Sequence, residues 1–423
     1  MSFKKLFFIA IVAFLCATNV KLHADDKLKF YGFVRTDMYY NSRQSIEAVD
    51  GIFNLAPKPI DLDDKGNDKN SVPQLHLSSI TTRMGAKING DSILGAKSSG
   101  VIEVDFGGLG VSSSLTAQTN ITHLIRMRLA YTKLNWTNTE LLMGQTWHPL
   151  FANMLASGQA FTVGAPFQPF SRAPMIQLKH NLTPTFSITT AAISQLQFAS
   201  AGPNGASPSY LNNAIVPELF LGLEHKNQIF TNGIGGEVKT LKPSVNSITS
   251  LVAIAYSSYN QGKFQIKVKG LVGQNMTEQI MPWGYGITGV DANGNAIYTN
   301  HNLASAWMNG SYGKTIQVGF LLGYGKNLGT SADLVANNGL YTVYGNGYSK
   351  TSVTTLNTAG VQTILNNAYR STAYISYIKP NFNLSLEYEY TGAEYGKLNK
   401  NGLGDGAYSV NNNRLHLSAC YFF

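Results

Sequence analysis

Charged residues recur at every second position within several short apolar segments of this chain. Glu103 and Asp105, for example, alternate with Ile102, Val104 and Phe106. Side chains two positions apart on an extended strand point to the same face of a sheet. Each such segment therefore predicts a strand with one apolar face and one charged face. A closed ring of charged faces can line a water-filled space and select solutes by their charge.

The same alternation places other charged side chains on the inner face of the predicted sheet. The inward cations are Lys29, Arg35, Arg83, Lys87, Arg126, Arg128, Lys267, Lys269 and Arg414, and the inward acids are Asp37, Glu103, Asp105, Glu387 and Glu389. Arg172, which ends a long loop, is a further candidate because it would face the basic wall. The excess of cations predicts a moderate preference for anions. The alternative is that many of these charges neutralise one another across the wall.

The composition indicates that the apolar outer face meets lipid. Charged residues make up only 13% of the chain, aromatic residues make up 11%, and Gly numbers 41, whereas ordinary soluble domains carry about 25% charged residues. After the N-terminal segment no apolar run is long enough for a transmembrane helix. The predicted fold is therefore all-β: a transmembrane antiparallel β-barrel in contact with outer-membrane lipid.

The N-terminal segment predicts export from the cytoplasm. Lys4 and Lys5 precede an apolar run over residues 6–15, and Ala24 supplies a small residue before Asp25. This arrangement is typical of a cleaved secretory signal, so we expect residues 1–24 to be removed and residues 25–423 to form the barrel. The expected location is the cell outer membrane of a Gram-negative bacterium.

The period-two segments number about sixteen, and short polar turns alternate with long loops between them. Short turns on one rim and long loops on the other are typical of outer-membrane barrels, with the short turns in the periplasm. The last strand ends in Tyr421, Phe422 and Phe423 and should pair with the first strand. We expect Tyr421 and Phe423 to form an assembly signal for the barrel assembly machinery. Ile80 is placed on the lipid face, and the facing of residues 140–147 is left open because their alternation is irregular.

One long loop, residues 148–172, differs from the others in composition. It carries seven large apolar side chains and several prolines; the apolar residues are Phe151, Met154, Leu155, Phe161, Val163, Phe167 and Phe170. Such side chains need a surface to pack against, either the inner wall, where the loop would form the constriction of the pore, or a subunit interface. By contrast, residues 41–77 carry several aspartates and are expected to be solvent-exposed, with calcium binding as a weaker alternative.

Three motifs together resemble the DcaP-like outer-membrane porins, in the form found in Bacteroidota. They are Phe30-Tyr31-Gly32-Phe33-Val34-Arg35-Thr36-Asp37 in the first strand, Gly144-Gln145-Thr146-Trp147 before the long loop, and the terminal Tyr421-Phe422-Phe423. The resemblance implies a sixteen-stranded homotrimeric channel for small anionic solutes such as dicarboxylates. Members of that family carry an N-terminal coiled-coil extension in some cases. Here the first strand follows the signal closely, so trimer contacts are expected from the barrel wall and loops.

Other functional classes find little support in the sequence. Residues 310–315 end like a phosphate-binding loop but have two residues between the glycines where the motif has four. No catalytic residue, metal site, cofactor or nucleic-acid partner is assigned. The sequence therefore predicts a porin for passive diffusion of small hydrophilic solutes. The alternative is an adhesin or receptor that binds a partner through its long loops and uses the barrel only as an anchor.

Overall fold

The computed structural model describes residues 27–48, 53–108, 124–152, 164–345 and 361–423. The predicted signal segment, residues 1–24, lies outside these residues. Within them, no helix is long and apolar enough to cross a membrane. The helices are short: Pro149–Ala152, Ser209–Asn212 and the 3₁₀ turn Thr277–Gln279.

Strands make up nearly all of the remaining regular structure. The first half contains β1 (Leu28–Asn41), β2 (Ser45–Ala48), β3 (Phe53–Pro57), β4 (Gln74–Ser78), β5 (Arg83–Ile93), β6 (Ala96–Gly108), β7 (Leu124–Asn135), β8 (Thr139–Trp147), β9 (Arg172–Asn181), β10 (Phe186–Ile193), β11 (Glu218–Lys226) and β12 (Phe230–Leu241). The second half contains β13 (Ile248–Gln261), β14 (Phe264–Gln274), β15 (Tyr285–Val290), β16 (Ala296–Gly313), β17 (Ile316–Thr330), β18 (Ala336–Asn337), β19 (Leu340–Tyr341), β20 (Val343–Tyr344), β21 (Thr363–Lys379), β22 (Phe382–Leu398) and β23 (Gly404–Phe422).

The wall is a closed antiparallel barrel of sixteen strands, which confirms the predicted fold class. β4 and β5 together form one wall strand. Six short strands are not counted as wall strands: β2, β3, β15, β18, β19 and β20. The barrel closes because β1 pairs with β23, from Phe33 opposite Phe422 to Asn41 opposite Arg414. On its other edge β1 pairs with β4 and β5. Among the described residues, closure leaves no unpaired edge strand in the wall.

Alternation along the wall strands separates an exposed outer face from a buried inner face. In β1, Val34 is 53% exposed and Met38 is 43% exposed, whereas Asp37 and Tyr39, on the opposite face, are each 1% exposed. Near the rim with the short turns, exposed aromatic side chains follow one another around the outer face. They are Phe30, Phe186, Phe230, Phe264, Tyr312, Tyr377, Tyr421 and Phe423. The outer face is therefore an apolar surface with an aromatic girdle, as expected for contact with lipid.

The placement of Ile80 on the lipid face is wrong. Its side chain is 5% exposed and packs inside the barrel. The cause is the interruption between β4 and β5: Leu75 and Leu77 point outward at odd positions, whereas Met84 points outward at an even position. The break between β4 and β5 shifts the alternation by one residue. Counting back from β5 in steps of two therefore assigns Ile80 to the wrong face.

The irregular stretch in β8 has a similar explanation. Leu142 and Trp147 both contact residues inside the barrel although they are five positions apart. Gly144 lies between them with φ +130°, and a Cβ at this residue would meet the carbonyl oxygen of Ala130 at 2.3 Å. A glycine is required for this backbone shape and close approach, and the local twist accounts for the change of face.

A candidate constriction inside the barrel

Three chain segments from the long-loop end fold into the barrel. They are the hairpin of β2 and β3, the described parts of residues 148–171, and residues 275–284. Together with Ile80, which lies between β4 and β5, their side chains form one buried cluster that consists of Phe53, Leu55, Ile80, Phe151, Ala165, Phe170 and Ile280. The ring centroids of Phe170 lie 4.8 Å from Phe53 and 5.0 Å from Phe151. The described aromatic side chains of the long loop, Phe151, Phe167 and Phe170, are thus buried inside the barrel; its residues 153–163, and with them Phe161, lie outside the described part.

The expectation that residues 41–77 are solvent-exposed is wrong for their central hairpin. Every described residue of β3 is buried, and Asn54 Nδ2 donates a hydrogen bond of 2.6 Å to Glu389 on the wall. The sequence prediction gave weight to the aspartates, which lie farther along the loop. Asp63 is partly exposed there, and its Oδ1 accepts hydrogen bonds from the backbone N–H groups of Asn67 and Lys65. These bonds lower the pKa of the Asp63 carboxyl and commit that oxygen to its own turn.

Arg370, on β21, connects two of the inward segments to the wall. Its Nη1 donates to the carbonyl oxygen of Ala165 at 2.7 Å, and its Nη2 donates to the carbonyl oxygen of Asn54. Its Nε lies 3.2 Å from Glu389 Oε2, and both side chains are at most 2% exposed. This residue was missed in the sequence, although it alternates correctly with exposed neighbours in β21. One guanidinium therefore holds the hairpin and the long loop against the same part of the wall.

Wall lysines and a wall serine hold the inward segments in the same way. Lys269, a predicted inward cation, donates to the carbonyl oxygen of Leu150 and is 2% exposed. Lys239, which was missed, donates to the carbonyl oxygen of Asn275 at 2.6 Å. Ser305 Oγ donates to the carbonyl oxygen of Phe167 at 2.7 Å. Lys269 thus contacts the loop backbone, and its ammonium faces the loop instead of open water.

The structure brings several predicted inward charges together as ion pairs. Arg128 Nε lies 2.8 Å from Glu103 and its Nη1 lies 2.7 Å from Asp105. Arg126 Nη2 lies 2.7 Å from Asp105, and Arg83 Nε lies 3.5 Å from Glu103. Two acids are thereby shared among three arginines on neighbouring strands. The cluster keeps a net positive charge, although much of the excess counted in the sequence is compensated here.

Arg172 lies beside this arginine cluster in an aromatic surrounding. Its guanidinium carbon lies 4.6 Å from the ring centroid of Trp147, 5.5 Å from that of Phe198 and 5.9 Å from that of Phe170. Arg128 lies 5.4 Å from the same Trp147 ring. Cation–π contacts of this kind stabilise a buried guanidinium. Arg172 and Arg128 therefore both lie within 5.4 Å of the same Trp147 ring.

The remaining predicted inward cations fall into two groups that differ in their position along the barrel axis. At mid-wall, Arg35 Nε lies 3.0 Å from Asp37, and the guanidinium of Arg414 lies 4.0 Å from the ring of Tyr39. Near the rim with short turns, Lys29 and Lys87 are exposed and Lys267 is half-buried. The three lysines are separated from the arginine cluster along the barrel axis, so the predicted residues do not form a single site.

The terminal residues complete the barrel wall. Tyr421 and Phe423 are 52% and 62% exposed on the outer face. The backbone of Phe423 exchanges hydrogen bonds with Gly32 at 3.1 and 3.2 Å. A Cβ at residue 32 would lie 2.6 Å from the Phe423 ring. The terminal ring therefore packs over a glycine of the first strand.

One group of His and acidic residues in the described part of the chain could share a metal ion. It consists of His148, Glu218 and Glu237, whose ligand atoms lie within 4.8 Å of one another. No metal-ligand spacing exists in the sequence because these residues are far apart along the chain. The fold alone brings them together.

Solved structures with a similar fold are outer-membrane channels. The crystal structure of the outer membrane channel DcaP of Acinetobacter baumannii matches with a TM-score of 0.63 and 18% identity, over 94% of this chain and 97% of that chain. An anion-selective porin from Comamonas acidovorans gives 0.51 and 11%, over 94% and 99%. The trimer form of OmpT, an outer membrane protein of Vibrio cholerae, gives 0.50 and 11%, over 94% and 99%. The chain therefore has the fold of the porins, DcaP included.

No family model matches the sequence, and comparison with curated proteins gives no match either.

Proposed function

We propose that this barrel is an outer-membrane porin that lets small hydrophilic solutes cross by passive diffusion. The observation that carries the proposal is the closed sixteen-stranded wall with an apolar outer face and a charged inner face. Sixteen strands enclose a lumen wider than side chains alone can fill. The short turns then lie in the periplasm and the long loops outside the cell.

The outer face of β17 supports a position within the membrane. Apolar side chains, all exposed except the half-buried Phe320, follow one another from Ile316 to Tyr324, and the exposed Lys326 comes next on the same face. The eight residue-to-residue rises from Ile316 to Tyr324 cover about 20 Å along the membrane normal in a tilted strand. This height is close to the apolar band of about 25 Å that outer-membrane barrels present to lipid. Residues 1–24 would be the export signal for this location, and the barrel assembly machinery would insert the chain.

Anion preference follows from the arginine cluster. Arg83, Arg126 and Arg128 share Glu103 and Asp105, and Arg172 adds a cation beside them. A net positive charge in a channel with low-dielectric walls raises the local concentration of anions. Because most inward acids are paired, the preference should be moderate, and dicarboxylates are candidate solutes.

We place the constriction where the three inward segments meet, next to Phe170 and Arg172. The buried aromatic cluster and the Arg370 contacts support a fixed position for these segments. The assembly is proposed to be a homotrimer, as in the trimer form of OmpT. Planar bilayer recording tests the proposal, because purified protein should give discrete steps of ionic current.

The alternative function is an adhesin or receptor anchored by its barrel. The observation in its favour is that the inward segments pack against one another inside the barrel, where Phe170 contacts both Phe53 and Phe151. A barrel closed in this way would insert into bilayers without conducting. The same recording therefore separates the two functions.

A further inference from the structure

A second buried cluster lies where the long loop leaves the wall. His148 directly follows β8, Glu218 begins β11, and Glu237 lies in β12. Their side chains are 1%, 1% and 2% exposed. His148 Nε2 lies 3.4 Å from Glu218 Oε2 and 3.2 Å from Glu237 Oε2.

These separations fit ligands around one small cation. Zinc binds imidazole nitrogen and carboxylate oxygen at about 2.0–2.2 Å in a tetrahedron, so neighbouring ligand atoms lie roughly 3.3 Å apart. The contact between His148 and Glu237 does not satisfy the carboxylate as a hydrogen bond would. Within the described residues, Glu237 Oε2 is buried and has no hydrogen-bond partner. Leaving a buried carboxylate oxygen in this state is costly, and a bound cation would satisfy it.

The balance of charge also fits a divalent cation. Lys239 Nζ lies 2.5 Å from Glu278 Oε2, so these two neighbours compensate each other. Glu218 and Glu237 then leave two negative charges beside one imidazole. Buried charges without compensation strongly destabilise a fold. A divalent ion bound by a neutral His148 would make the cluster electrically neutral.

Surrounding groups already orient the candidate ligands. Gln195 Nε2 donates to Glu218 Oε1 at 2.6 Å, which leaves Oε2 directed at the imidazole. Gln195 Nε2 also lies 2.9 Å from Ser200 Oγ, which donates to Glu278 at 3.0 Å. Hydrogen-bonded neighbours that fix carboxylate ligands in this way are typical of metal sites.

We propose that His148, Glu218 and Glu237 bind one divalent transition-metal ion of the zinc type. The ion would fix the start of the inward loop to the wall strands β11 and β12. In this structure His148 Nδ1 accepts a 3.2 Å hydrogen bond from the Leu150 N–H. When Nε2 binds the metal ion, Nδ1 carries the imidazole proton and can no longer accept this hydrogen bond. Metal binding therefore includes a small shift of the helix Pro149–Ala152. A water molecule or a second carboxylate oxygen completes the tetrahedron.

The test measures metal content and Zn²⁺ binding of the full chain in detergent. Wild-type protein, extracted from membranes without chelator or reloaded with Zn²⁺ after EDTA treatment, should hold one zinc per chain and melt at a higher temperature than the EDTA-treated form. Co²⁺ in place of Zn²⁺ should give the visible absorption of a tetrahedral site.

Glu237→Gln keeps the size of the side chain and should weaken Zn²⁺ binding by at least about 100-fold, since even outer-shell changes cost 10–100-fold. Glu387→Gln is the matched control, because Glu387 is also a buried inward acid whose Oε2 has no hydrogen-bond partner in the described residues; it should bind Zn²⁺ like wild type. Absence of stoichiometric zinc in wild type at excess Zn²⁺ overturns the proposal. Equal binding by Glu237→Gln overturns it too and shows adventitious binding. If Glu237→Gln forms no barrel, the wild-type comparison with and without EDTA still decides, and none of these outcomes depends on whether the barrel conducts.

Discussion

Arg370 donates a hydrogen bond of 2.7 Å to the carbonyl oxygen of Ala165, although the two residues are 205 positions apart in the chain. The donor belongs to the barrel wall and the acceptor belongs to the long inward loop. A second N–H of the same guanidinium reaches Asn54 in the first hairpin. One wall side chain therefore contacts both segments, in addition to the contacts that Lys269 and Ser305 make with the long loop.

Replacing Arg370 by Met should loosen both inward segments. The change also leaves Glu389 buried without its cation, and breaking a buried ion pair costs about 3–5 kcal/mol. Urea unfolding of the reconstituted barrel should show a loss of this size, and current through single channels should become noisier. Lys179→Met is the control, because Lys179 pairs with Glu224 at a partly exposed position. Equal stability of the Arg370 and Lys179 variants would contradict the role given to Arg370.

Shortening the long loop between Ala152 and Gly164 should raise single-channel conductance and admit larger solutes. The buried anchors of the loop, Ala165 and Phe167, are kept in this variant. Conductance and the size limit for uncharged sugars measure the effect. If conductance stays unchanged while trimers dissociate, the loop is an interface element and the constriction lies elsewhere.

Gly32→Ala should impair closure of the barrel. A Cβ there would lie 2.4 Å from the carbonyl oxygen of Arg83 and 2.6 Å from the Phe423 ring, and overpacking of this kind costs about 1–3 kcal/mol. The measurement is the fraction of heat-modifiable protein in outer membranes. Gly100→Ala, whose Cβ would meet nothing closer than 3.6 Å, is the control. Similar assembly of both variants would show that this contact is unimportant.

Deleting Phe423 should lower the amount of assembled barrel for a related reason. The deletion removes the terminal ring and two backbone hydrogen bonds to Gly32. Assembly is followed by heat modifiability in outer-membrane fractions, with Lys400→Gln in an exposed loop as the control. Normal assembly of the shortened chain would rule out an assembly signal at this residue.

The wall could be predicted from the sequence because a period of two is a local property. Val34, Asp37 and Met38 reveal their faces without knowledge of their partners. The alternation failed at Ile80 and around Gly144, where a break or an unusual backbone conformation shifts the phase. Such shifts depend on pairing with neighbouring strands, which a local pattern does not contain.

The inward segments and the buried clusters could be predicted only in part. The aromatic composition of residues 148–172 indicated that this loop needs burial, and the described aromatic residues of the loop are buried inside the barrel. The first hairpin also carries apolar residues, among them Ile46, Phe53 and Leu55, but the sequence prediction gave more weight to the aspartates that follow it. His148 and Glu218 are 70 positions apart, and only the closed barrel brings them together.

The most direct test of the proposed function is single-channel recording in planar bilayers with a KCl gradient. A porin with the arginine cluster at its constriction should give discrete current steps and a reversal potential of moderate anion preference. Arg126→Gln should move the reversal potential toward cations, because Asp105 then loses one of its two cations, whereas Lys400→Gln should leave it unchanged. Insertion without any current would contradict the porin function, and cation preference of the wild-type channel would contradict the role given to the arginine cluster.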